Sequence, residues 1–335
     1  MTTLRLVFLV LLAAFLAMIP KTGVAVTNCT AAVTDMNFGD IDDRGADVTA
    51  TLTYECQTEV LISWANQAHV EMCLAIGAGS QPGSTVHSRL MRNSQSDPLG
   101  FQIYRDESHS QIWGNTAPTN TRNLRISYGL NSILGLGARG QTSGTVTVYG
   151  RVPAQAALAA GDYGSRVADA DVIFRYKDTL LGSPPTSCMN GGTQGAIHRF
   201  SFSVNANVPD HCTISTATDL SFGSIPGLID RPYDQTSSIS LSCTRRTPWN
   251  IHLDDGQNAD GNVRRMRMGA GNYVVYELYR NAGRTQRWGT QKGVDTVPGT
   301  GEGSGQTVTV HGRVPAGQQV PAGEYRDTVT VTVTY

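Results

Sequence analysis

The stretch that decides the fold is Thr328–Tyr335, TVTVTVTY, in which hydroxyl and apolar side chains alternate. A period of two puts the valines on one face of an extended strand and the threonines on the other. The same alternation appears in Thr145–Tyr149 and Ser238–Leu241, and clusters of Gly, Pro, Asn and Asp separate such runs. No stretch has a convincing helical period. The sequence therefore predicts an all-β chain built as antiparallel sandwiches.

An internal repeat divides the chain into two copies of one domain. Gly150–Ala154 (GRVPA) returns as Gly312–Ala316, and Ala160–Tyr163 (AGDY) returns as Ala322–Tyr325 (AGEY). Four further pairs keep the same order: NFGDI 37–41 with SFGSI 221–225, RLMR 89–92 with RRMR 264–267, FQIYR 101–105 with YELYR 276–280, and Trp-Gly 113–114 with 288–289. We predict an N-terminal copy over 26–209 and a C-terminal copy over 210–335.

The composition excludes several classes of protein. The chain has 335 residues, which suits two domains, and its 40% hydrophobic and 16% charged content excludes a disordered or coiled-coil chain. A formal net charge of −1 gives no basic face for nucleic acid. The six cysteines include no CxxC pair, which favours disulfides over zinc sites. Nothing in the sequence indicates another metal or a cofactor.

Residues Met1–Ala25 have the pattern of a secretory signal peptide. Arg5 supplies positive charge, Leu6–Ile19 is an apolar run of 14 residues, and Gly23–Ala25 offers small residues for cleavage. The alternative is a membrane anchor, but a span needs about 20 apolar residues. We therefore expect the rest of the chain to be exported as a soluble protein.

The repeat also predicts how the six cysteines pair, which their number alone leaves open. Two cysteines of the N-terminal copy match two of the C-terminal copy, so each pair is expected to close within its own copy. The remaining two are left to pair with each other. The predicted disulfides are Cys29–Cys56, Cys73–Cys188 and Cys212–Cys243.

These motifs give the chain a resemblance to a known family. A Cys shortly before Phe-Gly, Arg-x-Met-Arg, Trp-Gly, GRVPA and the closing Tyr-x-Asp-x-Val-Thr-Val-Thr-Val-Thr-Tyr are similar to the spore coat protein U domain. Subunits of archaic, Csu-type chaperone–usher pili share that domain. The C-terminal copy fits closely, and the N-terminal copy departs by insertions. The resemblance implies immunoglobulin-like, pilin-type sandwiches that lack their last strand, a gap that a neighbouring subunit's extension fills.

Two such domains in one exported chain resemble the family's tip adhesin more than its single-domain shaft pilins. The resemblance therefore implies a pilus tip on the cell surface and a part in attachment and biofilm formation. The implied partners are a periplasmic chaperone, an outer-membrane usher, a next pilin that donates a strand to the C-terminal copy, and an abiotic or host surface. The alternatives are a structural spore or cell coat protein and a lectin-type adhesin.

Residues 200–208, FSFSVNANV, alternate between an apolar and a polar row and lie where a pilin's donor extension would precede its first Cys. One interpretation makes them the first strand of the C-terminal copy, but 212–222 already supplies that strand. We therefore predict that they complete the N-terminal copy within the chain. The predicted donor residues are Phe200, Phe202, Val204, Ala206 and Val208.

The two chain ends suggest a direction of assembly. After signal cleavage Val26–Asn28 alone would precede Cys29, which is too short for a donor strand. The sequence reaches Tyr335 inside the last strand of the C-terminal copy. We expect a subunit that accepts a strand and donates none, which suits the distal end of a fibre.

The N-terminal copy carries insertions at what we predict is one end of its sandwich. The offset between equivalent residues falls from 187 at Cys56 to 175 at Arg92 and to 162 at Arg151. These insertions fall in B–C and D–E loops around 57–68 and 115–144, and the F–G connection over 177–199 is long. In an immunoglobulin sandwich these three loops share an end.

The three loops are rich in apolar residues, which suggests a non-enzymatic contact with a surface. The alternative is that these side chains tuck into the sandwich. The predicted binding residues are Leu61, Ile62, Trp64, Leu130, Ile133, Leu134, Leu136, Leu180 and Leu181.

Motifs for catalysis are weak. Gly135–Gly140 fits GxGxxG but joins no strand to a helix. Asp254–Gly261 lacks the first-position acid and the twelfth-position Glu of a calcium loop. The histidines show no HxxxH spacing, and no GxSxG occurs. We therefore expect neither an enzyme nor a cofactor.

Overall fold

The structure, a computed structural model, describes residues 26–60, 66–132, 137–178, 184–192 and 194–335. All of its regular elements are β-strands, which confirms the predicted all-β fold. None of the described segments forms a helix capable of crossing a bilayer.

The N-terminal copy is a two-layered sandwich. Its described strands are β1 (Val26–Val33), β2 (Met36–Asp40), β3 (Ala46–Val60), β4 (Gln67–Ile76), β5 (Arg89–Arg92), β6 (Pro98–Tyr104), β7 (Arg122–Gly129), β8 (Asn131–Ser132), β9 (Ala138–Val152), β10 (Gly161–Asp178) and β11 (Gln194–Val208). One layer has the order β1-β3-β9-β6, with β8 beside β9, and the other has the order β7-β4-β10-β11-β2. Strand β5 pairs with both β6 and β10 and so joins the layers.

The C-terminal copy repeats most of this arrangement. Its described strands are β12 (Cys212–Ala217), β13 (Leu228–Ile229), β14 (Tyr233–Cys243), β15 (Pro248–Leu253), β16 (Arg265–Met268), β17 (Asn272–Val275), β18 (Glu277–Tyr279), β19 (Val297–Thr300), β20 (Gly305–Val314), β21 (Gln318–Gln319) and β22 (Val331–Thr334). The layers are β12-β14-β20-β18 and β19-β15-β22, with small pairs β13-β21 and β16-β17. Strands β15 and β22 thus take the places of β4 and β10.

The Phe-Gly and GRVPA motifs meet inside each copy. A Cβ added to Gly150 would lie 3.1 Å from the ring of Phe38, and one added to Gly312 would lie 3.1 Å from the ring of Phe222. Because that spacing is tighter than ordinary carbon contacts, a side chain at either glycine would push the aromatic ring aside. This packing explains why both motifs occur in both copies.

The arginine of GRVPA ties two strands together in each copy. Arg151 donates two hydrogen bonds of 2.6 Å to Asp47, and Arg313 donates bonds of 2.7 and 2.8 Å to Asp234. The arginine hydrogen bonds hold the pKa of both aspartates below its usual value. Each pair spans the central strands of one layer, β3 and β9 or β14 and β20.

The Trp-Gly and Arg-x-Met-Arg motifs supply a buried pair of a tryptophan and an arginine in each copy. Trp113 and Trp288 are fully buried, and each indole N–H donates to a backbone carbonyl, of β4 or β15 respectively. Arg89 and Arg264, also 0% exposed, donate to the carbonyls of these tryptophans at 2.9 and 2.8 Å. A buried guanidinium needs such acceptors because desolvation without hydrogen bonds is costly. These two motifs are therefore core motifs.

The segment 200–208 lies in the N-terminal core as part of β11. Strand β11 is antiparallel to β10 from the pair Gly161–Val208 to the pair Tyr176–Gln194, and it is parallel to β2 on its other side. Its inward row is 0–9% exposed within the N-terminal core cluster and consists of Phe200, Phe202, Val204, Ala206 and Val208.

Three disulfides are present, Cys29–Cys56, Cys73–Cys188 and Cys212–Cys243, which are the pairings that the repeat predicts. Two of them join directly opposite residues of neighbouring strands, β1 with β3 and β12 with β14. The third fastens the segment 184–192 to β4. No described cysteine is free.

Replacing Phe202 and Val204 together with Asn should destabilise the N-terminal copy by several kcal/mol, because unpaired amides would be buried at fully covered positions. Hydrogen exchange resolved by copy is the suitable measurement, with the exposed Asn205→Ser as a control expected to change stability by about 0.5 kcal/mol or less. Loss of protection in the C-terminal copy alone would contradict the placement of β11.

Candidate functional site

The C-terminal copy has an open groove where the N-terminal copy holds β11. Strand β10 pairs with β4 on one side and with β11 on the other, whereas β22 pairs with β15 alone among the described strands. Residues 218–226, which match β2, form no regular structure. Residues 321–330, which match the first half of β10, make one isolated bridge, between Arg326 and Arg267. We call the space between 218–226 and 321–334 the acceptor groove.

Side chains of the acceptor groove are less covered than their N-terminal counterparts. Tyr163 is 2% exposed and Val167 0%, whereas the equivalent Tyr325 and Val329 are half-buried. The uncovered row ends at Tyr335, which is 53% exposed. The apolar lining consists of Leu220, Phe222, Ile225, Tyr325, Val329 and Val331. Uncovered apolar side chains beside a free strand edge are the features that accept an added strand.

The three predicted loops are shorter than expected, because strands extend into their ranges: β3 runs to Val60, β7 and β8 lie within 115–144, and β11 begins at Gln194. The strand ends at these loops lie together, at the end of the N-terminal copy remote from the C-terminal copy. Val60, the last residue of β3, pairs with Ala138, the first of β9. Strand β4 begins beside the end of β7, and β10 ends beside the start of β11. Strand β11 then runs to Val208 at the opposite end, from which the chain enters the C-terminal copy.

The predicted loop residues themselves divide into two groups. Leu130 is 7% exposed and belongs to the core, so its inclusion in an exposed surface is wrong. The physical reason is Gly140, where an added Cβ would lie 2.9 Å from the Leu130 side chain; the glycine leaves room for the leucine to turn inward. Lying outside the described residues are Leu61, Ile62, Trp64, Ile133, Leu134, Leu136, Leu180 and Leu181.

Two exposed apolar residues near this end are additional to the predicted binding residues. Ile197, in β11, is 64% exposed and pairs with Ile173 of β10. Met189, 47% exposed, lies in the disulfide-bound segment 184–192, where its carbonyl accepts a hydrogen bond from Arg175. Ile197 interrupts the otherwise polar outer row of β11, and that interruption is a signal that the sequence alone contains.

A contact between the two copies fixes how the chain passes from one to the other. Asp97 of the N-terminal copy, with a side chain 8% exposed, forms ion pairs of 2.8 Å with both Arg245 and Arg246 of the C-terminal copy. The backbone of Arg245 also exchanges hydrogen bonds with Leu158 and Ala160. Burial favours a higher pKa for Asp97, but the hydrogen bonds from Arg245 and Asn93 hold it below its usual value.

Comparison with known proteins identifies the family. The family model of the Spore Coat Protein U domain matches residues 17–168 and 198–332, that is, both copies. The chain belongs to the spore coat protein U domain family. The family that the repeated motifs predict is thereby confirmed.

Three individual proteins illustrate the degree of similarity. Protein U of Myxococcus xanthus is 38% identical over 107 residues, which are 30% of this chain and 59% of the length of Protein U. One similar solved structure is a chaperone–tip adhesion subunit pre-assembly complex from archaic chaperone–usher Csu pili of Acinetobacter baumannii. The matching chain of that complex is 17% identical to this protein, with a TM-score of 0.45. The match covers 92% of this chain and 100% of the other. A chaperone–tip adhesin complex of CFA/I fimbriae contains a chain that is 10% identical, with a TM-score of 0.28. That match covers 79% of this chain and 84% of the other.

Asp97→Asn should lower the free energy of unfolding by about 1–3 kcal/mol at neutral pH, because it leaves two arginines without their carboxylate. Since the pKa of Asp97 is depressed by folding, its contribution is fully present above the ordinary aspartate pKa of about 3.9 and is lost as the pH falls below it. Urea unfolding across this range measures the difference, with the exposed Asp43→Asn as control. An undiminished difference at the lowest pH would contradict the assignment.

Proposed function

We propose that this protein is the tip adhesin of a bacterial chaperone–usher pilus, with an accepting C-terminal copy and an adhesive N-terminal copy. The observation that carries the proposal is the difference between two equivalent grooves in one chain: β11 fills the first, and the acceptor groove is open. A strand-shaped groove beside a free edge is suited to a strand from the next subunit. Membership of the spore coat protein U domain family supports the same function.

The open groove also accounts for the proposed partners. Half-buried apolar residues and unpaired backbone groups would promote aggregation if they stayed uncovered during export. A periplasmic chaperone that lends a strand would cover them, and an outer-membrane usher would exchange that strand for the donor strand of the next pilin. The signal peptide predicted at Met1–Ala25 suits this route to the cell surface.

Adhesion is assigned to the loop end of the N-terminal copy because it faces away from the C-terminal copy. Apolar loop tips would bind an abiotic or host surface without an enzyme's chemistry, at about 25 cal/mol for each Å² removed from water. A few hundred Å² for each tip would supply only a few kcal/mol, so firm attachment and biofilm formation would require many fibres together.

A structural coat protein is the second candidate, favoured by the family description and by the similarity to Protein U. Immunogold electron microscopy of sheared surface material separates the two functions. Label at the ends of fibres supports the adhesin, and label spread through a continuous layer supports the coat protein.

A grafted strand should stabilise the C-terminal copy. A second copy of residues 194–208, joined after Tyr335 by a flexible linker as long as the connection 179–193, would run antiparallel to β22 as β11 does to β10. We expect the ungrafted chain, expressed without a chaperone, to aggregate, and the grafted chain to be monomeric with a Tm higher by about 10 °C or more. The control graft carries Ser at its apolar positions. Equal solubility and Tm for all three chains would contradict an open groove.

The adhesive loops are tested by changing Ile133, Leu134 and Leu136 to Ser. Fibre assembly should persist, since the C-terminal copy lacks this insertion, and attachment to polystyrene should fall by about tenfold or more because apolar contact area is lost. The residual attachment should depend little on salt.

A matched control for the loop variant changes three exposed apolar residues of the C-terminal copy, Leu228, Val263 and Val294, to Ser. This control should attach normally. Normal attachment by assembled fibres with the loop substitutions would contradict adhesive loops, and failed assembly would place these residues in the core.

A further inference from the structure

One polar pair distinguishes the acceptor groove from the groove that β11 fills. In the N-terminal copy Ser165 of β10 pairs with Val204 of β11, and Phe101 of β6 is buried in the same core. The repeat places Asp327 and Tyr276 at these two positions of the C-terminal copy. The remaining groove positions keep apolar residues in both copies, such as Val167 and Val329. The two grooves therefore differ near their middle by a carboxylate and a phenol.

Three hydrogen bonds hold the Asp327 carboxylate in place and leave one of its oxygens able to accept another. Its Oδ1 accepts from the backbone N–H of Asn258 at 3.1 Å and from the Asn258 amide at 3.0 Å, and its Oδ2 accepts from the Tyr276 hydroxyl at 2.7 Å. Tyr276 is only 5% exposed, and burial raises the pKa of its phenol. A carboxylate has about four lone-pair sites, so Oδ2 can accept one more hydrogen bond.

The N-terminal copy shows which residue of an inserted strand would meet this carboxylate. Val204 pairs directly with Ser165, and both point inward, at 0% and 6% exposure. Directly opposite residues on one face of an antiparallel pair have their Cβ atoms about 4.5–5.5 Å apart. A strand inserted in the same register into the acceptor groove would place its equivalent of Val204 against Asp327.

We propose that Asp327 is a specificity-determining residue of the acceptor groove, which selects a strand bearing a hydrogen-bond donor, such as a threonine, at the position that β11 fills with Val204. This inference rests on the proposed strand-accepting function. A valine there would remove Oδ2 from water without replacing the lost hydrogen bond, whereas a threonine of the same shape would supply one. The chain thereby distinguishes the strand of the next subunit from its own β11, which limits pairing between copies of this protein.

Competition between two peptides tests the proposal. The full chain is refolded with equal amounts of FSFSVNANV, the sequence of residues 200–208, and of the same peptide with Val204→Thr, each carrying a different fluorophore. The bound ratio is read after gel filtration, and hydrogen exchange of 323–331 locates the bound peptide. We expect the threonine peptide to be favoured by about tenfold, the effect of one hydrogen bond to a charged group.

Two variants make the result specific. Asp327→Ser with Tyr276→Phe reproduces the N-terminal pair and should abolish the preference for threonine. Tyr276→Phe alone removes one donor to Oδ2 and should enlarge the preference. Because each readout is a ratio within one variant, a general weakening of the groove cancels.

The outcomes separate this inference from the function on which it rests. Binding of neither peptide would overturn the open groove itself. Binding of both peptides in equal amounts, or an unchanged ratio in the double variant, would overturn the role of Asp327 and leave the strand-accepting groove intact.

Discussion

The N-terminal copy depends on the burial of one alternating row of side chains, Phe200 to Val208, between β10 and β2. The row supplies apolar area to the core. The backbone of β11 also forms hydrogen bonds with N–H and C=O groups of β10 that would otherwise face solvent. Without it, β10 would have the surroundings that β22 has in the C-terminal copy. The chain therefore contains both states of one fold, a completed sandwich and an incomplete one, and each serves as the reference for the other.

Much of this fold could be predicted from the sequence because its determinants are local or repeated. Alternation in Thr328–Tyr335 specifies a strand, and the recurrence of GRVPA specifies two copies. The structure supplies the reason for the recurrence, since Gly150 and Gly312 admit the rings of Phe38 and Phe222. The two-row pattern of 200–208 likewise identified the strand, although the pattern alone did not decide which sandwich it enters.

The candidate sites were less accessible to sequence reasoning because they depend on contacts between distant residues. Leu130 reads as an exposed loop residue until Gly140, ten residues later, is seen to leave it a place in the core. The pairing of Asp97 with Arg245 and Arg246 joins residues whose separation in sequence carries no periodic signal. The contrast between Ser165 and Asp327 becomes meaningful when the structure shows both side chains at one groove position.

The direction of β11 has a mechanical consequence. Under the proposed function, a load applied at the loop end of the N-terminal copy passes to the C-terminal copy through Val208, the last residue of β11. Because β11 lies lengthwise along β10 and β2, tension at Val208 shears the strand along its neighbours and loads the hydrogen bonds of the ladder together. A strand peeled from one end would break those bonds one after another. The geometry that completes the sandwich is thus also the one in which a fibre under drag would resist unravelling at its tip.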